Sequence, residues 1–290
     1  MGFFRGHKRR GAFDLFSSYE HYAPGFDGII MMLILFAGGA LLGGFFINLF
    51  SRVYGGDAAL EYGNLISYPL CFIPAMLYAS VNSRLRDHGT RGIKLDDNNF
   101  KPHGGFKLSM VAIVATIATA FVIEPVNLLL PPMSPELEFQ MKWMMDVMPL
   151  WVAFISLSIL APFFEEWMCR GIILRGLLKR YHPAVAIASS AAFFGLIHMN
   201  IWQGVPAFFM GLVFGYVYYK TGSLKLTMLM HCANNTIALA LGQIPQFKEA
   251  TSMMDVMSPL GYAAAYIAFA VALAAAFVIF RSIQPREGLK

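Results

Sequence analysis

The sequence contains few charged residues, and this scarcity argues against an ordinary soluble domain. Only 13% of its 290 residues are Asp, Glu, Lys or Arg, while 57% are hydrophobic. The mean hydropathy is +0.57. A soluble globular domain carries about 25% charged residues. The composition therefore indicates a polytopic membrane protein.

Cysteine is also scarce, and its positions argue against a disulfide framework. The three cysteines, Cys71, Cys169 and Cys232, all lie within apolar runs and show no Cys-x-x-Cys spacing. We expect them to be small buried side chains. The formal net charge of +5 is divided among short loops, so it gives no separate support for nucleic-acid binding.

The sequence contains several long apolar runs. A helix of about 20 apolar residues is long enough to cross a hydrocarbon core about 30 Å thick. Runs near or above that length occupy residues 28–50, 64–81, 108–130, 149–178, 183–198, 205–219, 224–241 and 259–280. The predicted fold is all-α, a polytopic bundle of about eight transmembrane helices.

The loop charges predict the orientation of this bundle. If the chain starts in the cytoplasm and its spans alternate, the loop Lys and Arg residues fall on the cytoplasmic side except Arg52, Lys142 and Lys248. This bias follows the positive-inside rule and predicts that both termini are cytoplasmic. The first run has no obvious small-residue cleavage site and is interpreted as an anchor. No organelle signal is recognisable, so we expect a bacterial plasma (inner) membrane.

Ionisable side chains inside the apolar runs are rare and concentrate in the second half of the chain. Residues 162–180 read PFFEEWMCRGIILRGLLKR and place Glu165 and Glu166 within an apolar helix. Ionisable groups at membrane depth usually mark a functional site. Downstream of this pair, the histidines within or at the end of apolar runs are His198 and His231, and Asn234 and Asn235 lie beside His231. Glu124, near the end of the third run, is interpreted as a snorkelling or capping carboxylate.

Helical spacing separates the roles of the two carboxylates. Glu166 and Arg170 are four residues apart and share one helix face, as do His231 and Asn235. Glu165 points about 100° away from Glu166. We therefore predict that Arg170 neutralises Glu166 in a structural pair, which leaves Glu165 available for chemistry.

Three motifs carry a resemblance to a known family. They are EEWMCR (Glu165, Glu166, Arg170), FGLIH (Phe194, His198) and HCANN (His231, Asn235), in this order and each in an apolar run. Together they resemble the type II CAAX prenyl endopeptidase and bacteriocin-processing family of intramembrane proteases. The resemblance covers about residues 147–243.

This resemblance implies hydrolysis of a peptide bond in or near the membrane, at a site between the four core helices of the second half. Glu165 and His198 would activate a water molecule, and His231 with Asn235 would stabilise the oxyanion. Glu166, Arg170 and Phe194 would support the site. A metal-free glutamate mechanism is favoured, and a zinc site formed by Glu165, His198 and His231 remains open.

The predicted domain organisation surrounds this core. Residues 1–27 form a cytoplasmic segment, 28–146 accessory helices, 147–243 the protease core, and 244–290 an outer loop, a last helix and a cytoplasmic tail. The expected partners are membrane lipids and a membrane-associated protein or peptide substrate. Alternatives are a non-catalytic immunity or assembly factor that uses the same bundle, and a proton-coupled transporter that uses Glu165 and the histidines as a relay.

Overall fold

The structure is all-helical, as the sequence predicts. It is a computed structural model that describes residues 17–87, 92–146, 148–248, 250 and 252–285, and no strand occurs among them. A 3-10 helix at Glu124–Leu129 continues the third helix. The helices are α1 (Phe26–Tyr54), α2 (Gly56–Leu85), α3 (Gly105–Ile123), α4 (Pro135–Asp146), α5 (Leu150–Leu177), α6 (Pro183–Leu196), α7 (Ile201–Thr221), α8 (Leu224–Gly242), α9 (Pro245–Lys248) and α10 (Pro259–Arg281).

Six helices in the described part of the chain are long and apolar enough to cross a membrane: α1, α2, α3 with its 3-10 extension, α5, α7 and α10. The protein is therefore an integral membrane protein. The predicted count of eight also included α6 and α8. Helix α6 has 14 residues and is about 21 Å long, which is shorter than the hydrocarbon core. Helix α8 carries the polar residues of the third motif, and these lower its hydropathy.

Helix α5 lies at the centre of the bundle. In its most apolar window 61% of residues are buried, against 11% in α10 at the periphery. It contacts α2, α6 and α8. Helices α6 and α7 form an antiparallel hairpin, α1 packs along α2, and α3 packs between α8 and α10. The acidic pair predicted from the sequence therefore lies on the most enclosed helix of the fold.

Helices α1 and α2 touch at a glycine. Pro74 lies inside α2 and has no N–H, so the Leu70 carbonyl lacks its usual helical donor. A Cβ added at Gly39 of α1 would lie 2.7 Å from that oxygen and 2.4 Å from the Cys71 oxygen. Only glycine allows this approach, because real Cβ contacts are longer.

Replacing Gly39 with alanine should therefore destabilise the protein. The added methyl group must push α1 away from α2, and overpacking of this kind costs about 1–3 kcal/mol. We expect a lower unfolding temperature in detergent. The matched control is Gly44→Ala on the same helix, where an added Cβ meets nothing within 4 Å. Equal unfolding temperatures for the two variants would contradict this account of the helix pair.

The described part of the N-terminal segment docks onto the end of α5 through a buried arginine. Arg175 is fully buried, and its guanidinium donates hydrogen bonds to the carbonyl oxygens of Tyr19, Glu20, Tyr22, Gly171 and Ile93. The sequence predicted only that Arg175 lies on the cytoplasmic side, and it indicated none of these partners. Nearby, burial and the Arg175 charge lower the pKa of Lys179 to about 8. Residues 1–16 lie outside the described residues.

The connector between α2 and α3 also supports the core. The sequence predicted only a polar cytoplasmic loop here. In the structure, Asp96 Oδ1 accepts hydrogen bonds from the backbone N–H groups of Leu224 at 2.8 Å and Lys225 at 3.3 Å. Tyr218 donates its hydroxyl to the Leu95 carbonyl at 2.7 Å. The connector therefore caps the start of α8, the helix that carries His231.

Candidate active site

The acidic pair lies in a short α-helical stretch between two π-helical stretches of α5. The π-helical residues are Phe154–Leu160 and Trp167–Leu174, and the stretch between them is Ala161–Glu166. Widened turns of this kind are rare and often occur at functional sites, because they redirect side chains and release backbone carbonyls from the regular hydrogen-bond pattern. Nothing in the hydrophobic periodicity of the sequence predicts them.

Glu166 and Arg170 form the pair that their spacing predicts. Arg170 Nη1 lies 2.7 Å from Glu166 Oε1, and neither side chain is exposed to solvent. A second guanidinium nitrogen, Nη2, donates to the Gly211 carbonyl at 3.3 Å. The guanidinium carbon lies 4.4 Å from the ring centroid of Phe194 and 5.4 Å from that of Phe214. Phe194 therefore holds the arginine through a cation–π contact.

His231 links the two carboxylates. Its Nδ1 lies 3.1 Å from Glu166 Oε1, the oxygen that also accepts from Arg170. Its Nε2 lies 3.8 Å from Glu165 Oε2, which is too long for a direct hydrogen bond. Because an ionised carboxylate only accepts, Nδ1 carries a hydrogen and Nε2 faces Glu165.

Glu165 is held differently from Glu166. Its side chain is 8% exposed, and the Tyr68 hydroxyl of α2 donates a hydrogen bond to Oε1. Its other oxygen, Oε2, is buried and has no hydrogen-bond partner among the described residues. A buried carboxylate oxygen without a donor is costly unless water or a substrate supplies one. Glu166 Oε2 is likewise buried without a partner among the described residues, so the two glutamates differ in the groups at Oε1, which are Tyr68 for Glu165 and Arg170 with His231 for Glu166.

His198 lies in the turn between α6 and α7, just beyond the end of α6. Its Nδ1 is 2.8 Å from the Phe194 carbonyl, which can only accept, so Nδ1 carries a hydrogen. The neutral ring therefore has its lone pair on Nε2. The chain reverses through Met199, whose φ is +57°, and Asn200 caps α7 by accepting from the Gln203 N–H at 2.8 Å. His198 is half-buried in this turn, whereas Met199 is exposed.

Asn235, predicted from the resemblance to stabilise the oxyanion, also contacts α5. Its amide nitrogen donates to the Leu157 carbonyl at 2.8 Å, within the first π-helical stretch of α5. Its amide oxygen accepts from Asn234 Nδ2 at 3.1 Å. The amide nitrogen has two hydrogens, so one remains for another acceptor. Asn235 therefore joins α8 to α5 beside the acidic pair.

One cavity brings these groups together. It has a volume of about 980 Å³ and is lined by Glu165, His198, His231, Asn234 and Asn235 together with Tyr68. The lining also includes Glu124 and residues of α4 and α9, among them Lys142 and Lys248. Glu124 accepts from the Met253 N–H and from the Tyr262 hydroxyl, each at 2.9 Å, so it does cap a turn as the sequence suggested.

The resemblance left open a zinc site formed by Glu165, His198 and His231. In the described ranges, no group of three His, Cys, Asp or Glu side chains is arranged to hold a metal ion. His231 uses Nδ1 for Glu166, and Nε2 remains 3.8 Å from Glu165. The described residues therefore contain no preformed three-ligand arrangement of Glu165, His198 and His231, and the choice between the metal-free and the zinc mechanism stays a prediction.

Comparison with known proteins supports the resemblance found in the sequence. Residues 147–237 match the model of a family described as type II CAAX prenyl endopeptidase, Rce1-like. This part of the chain is similar to the CAAX prenyl endopeptidase family. No curated protein and no solved structure is significantly similar to the chain. The family match starts just before α5 and ends within α8, so it contains all three motifs.

The family match supports a protease of the CAAX prenyl endopeptidase type, embedded in a membrane. Two elements that contact this site lie outside the matched residues, namely α2 with Tyr68 and the connector that caps α8. Sequence reasoning missed Tyr68 because a tyrosine in an apolar run is usually a packing or interface residue. The only feature of the sequence that distinguishes Tyr68 is its position beside Pro69, within a helix long enough to span a membrane.

Proposed function

We propose that the protein is a metal-free intramembrane endopeptidase that hydrolyses a peptide bond of a membrane-associated protein or peptide. One observation carries the proposal. Glu165 lines the cavity, and its Oε2 is buried without a hydrogen-bond partner among the described residues, 3.8 Å from His231 Nε2. Such an oxygen is suited to bind and deprotonate a water molecule.

The proposed first step is attack of water on the scissile carbonyl carbon. Glu165 Oε2 takes one proton from the water, while His198 Nε2 accepts a hydrogen bond from it and orients it. A carbon–oxygen bond forms, and the carbonyl π electrons move to the oxygen. When His231 carries hydrogens on both nitrogens, its Nε2 donates to this oxyanion, as does the remaining amide hydrogen of Asn235.

The second step completes the hydrolysis. The tetrahedral intermediate collapses, the carbon–nitrogen bond breaks, and Glu165 returns its proton to the leaving amine. Glu166 and Arg170 keep their charges throughout. Their role is to hold His231 Nδ1, so that the ring presents Nε2 to the cavity. We further propose that the membrane is a bacterial plasma membrane, with both termini on the cytoplasmic side.

Cleavage by purified protein in liposomes tests this function. The probe is a fluorescent peptide ending in a farnesylated CAAX sequence, and the same peptide without the farnesyl group shows whether the lipid is required. We expect wild-type protein to cleave at least one of them and His198→Ala to lose about 100-fold in rate, since the water is no longer oriented and a misplacement of about 1 Å can cost about 10²-fold.

The same assay is repeated after treatment with a chelator and with a control variant. Activity should survive dialysis against EDTA, because no step uses a metal. The control is His103→Ala, since His103 lies in the loop before α3 and contacts Ser282. Loss of activity with EDTA and recovery with zinc would contradict the metal-free mechanism. Tight binding of a membrane partner without cleavage would instead favour the non-catalytic assembly factor.

A further inference from the structure

A residue outside the family-matched segment contacts the proposed general base directly. Tyr68 lies on α2, and its hydroxyl donates a hydrogen bond to Glu165 Oε1. The two residues are 97 positions apart in the chain. His231, whose Nε2 lies 3.8 Å from Glu165 Oε2, belongs to one of the three motifs. Tyr68 instead belongs to the accessory helices of residues 28–146.

The packing of α2 holds Tyr68 against α5. The Tyr68 ring centroid lies 5.3 Å from that of Phe72, which stacks at 5.5 Å on Phe164, the residue just before Glu165. On its other side, α2 is in contact with α1 through Ser67, whose carbonyl oxygen would lie 2.9 Å from a Cβ added at Gly43. Close packing on both sides leaves the tyrosine little freedom to swing away.

The contact makes the two oxygens of Glu165 unequal. Oε1 accepts from Tyr68, whereas Oε2 has no hydrogen-bond partner in the described part of the molecule and faces His231 Nε2 at 3.8 Å. A carboxylate free to rotate could present either oxygen to the cavity. With Oε1 held, only Oε2 is available to take a proton from water.

We propose that Tyr68 is a positioning residue that orients the Glu165 carboxylate, so that Oε2 is the oxygen that accepts the proton. This inference rests on the proposed function for its kinetic consequence, but not for the contact itself. Tyr68 acts through Glu165 and does not touch the reacting bond. Its loss should slow the chemical step and leave peptide binding largely unchanged.

The test compares Tyr68→Phe with wild-type protein in the liposome cleavage assay. Phenylalanine keeps the ring contact with Phe72 and removes only the donor. We expect kcat to fall about tenfold or more, because a hydrogen bond to a charged group is lost, while KM stays within about twofold. The matched control is Tyr78→Phe on the same helix, whose ring packs on Tyr22 at 6.3 Å. It should keep wild-type kinetics.

A second measurement does not depend on cleavage. The infrared difference between wild-type protein and Glu165→Gln isolates the carboxylate stretching band of Glu165. Because a hydrogen bond to one oxygen makes the two carbon–oxygen bonds unequal, Tyr68→Phe should shift this band, and Tyr78→Phe should not. An unshifted band would overturn the proposal, as would a rise in KM with unchanged kcat. A shifted band in a protein that never cleaves peptide would support the contact and defeat the protease function.

Discussion

Replacing Glu165 with glutamine should abolish peptide-bond cleavage while the protein remains folded. Glutamine has the same shape as glutamate, and its amide oxygen can still accept the Tyr68 hydrogen bond. It has no oxygen able to take a proton from water, so both the activation of water and the protonation of the leaving amine are lost. We expect the rate to fall by at least about 100-fold and by as much as about 10⁴-fold.

The measurement is single-turnover cleavage of the CAAX peptide in liposomes, with the unfolding temperature recorded for each preparation. The control is Glu136→Gln, since Glu136 lies exposed on α4 and the same change of charge is made there. Glu136→Gln should retain full activity. Normal cleavage by folded Glu165→Gln would show that another group activates the water, and the proposed mechanism would be wrong.

Replacing Arg170 with methionine should destabilise the fold more than any other single change considered for this protein. The side chains of Arg170 and Glu166 are both 0% exposed, so methionine leaves an unpaired carboxylate buried in the bundle. Breaking a buried ion pair from one side costs about 3–5 kcal/mol. The loss also removes the donor to the Gly211 carbonyl and the cation over the Phe194 ring.

The chain offers a closely matched control for this change. Lys142 and Glu138 on α4 are also four residues apart, with their charged atoms 2.9 Å apart, but their side chains are 61% and 54% exposed. Exposed pairs of this kind contribute about 0–1 kcal/mol. We therefore expect Lys142→Met to leave the unfolding temperature nearly unchanged and Arg170→Met to lower it strongly. Similar unfolding temperatures for the two would contradict the structural role assigned to Glu166.

Adding Glu166→Gln to Arg170→Met distinguishes a buried charge from simple loss of packing. The double variant buries a neutral amide in place of an unpaired carboxylate, so it should recover part of the lost stability. His231 would keep a possible acceptor for Nδ1. No recovery would indicate that the arginine matters mainly through its contacts with Gly211 and Phe194.

The motif residues and their intrahelical relations could be predicted because they depend on local geometry. The four-residue spacing predicts the Glu166–Arg170 pair, and the hydrogen bond at 2.7 Å is present. The 100° offset predicts that Glu165 faces elsewhere, and its partner is indeed on a different helix. The environments of Arg175 and Asp96 could not be predicted, since both depend on segments distant in the chain that fold over the ends of α5 and α8.

By itself, the sequence determined that this is a helical membrane protein and that its buried polar groups form three motifs typical of one endopeptidase family. Hydropathy and spacing along single helices are enough for that. Only the tertiary structure decided which helix completes the site, because contacts between helices depend on where backbones can approach. Gly39 and Gly43 allow α1 to pack closely on α2, and α2 in turn carries Tyr68 to Glu165. No periodicity within either helix contains that information.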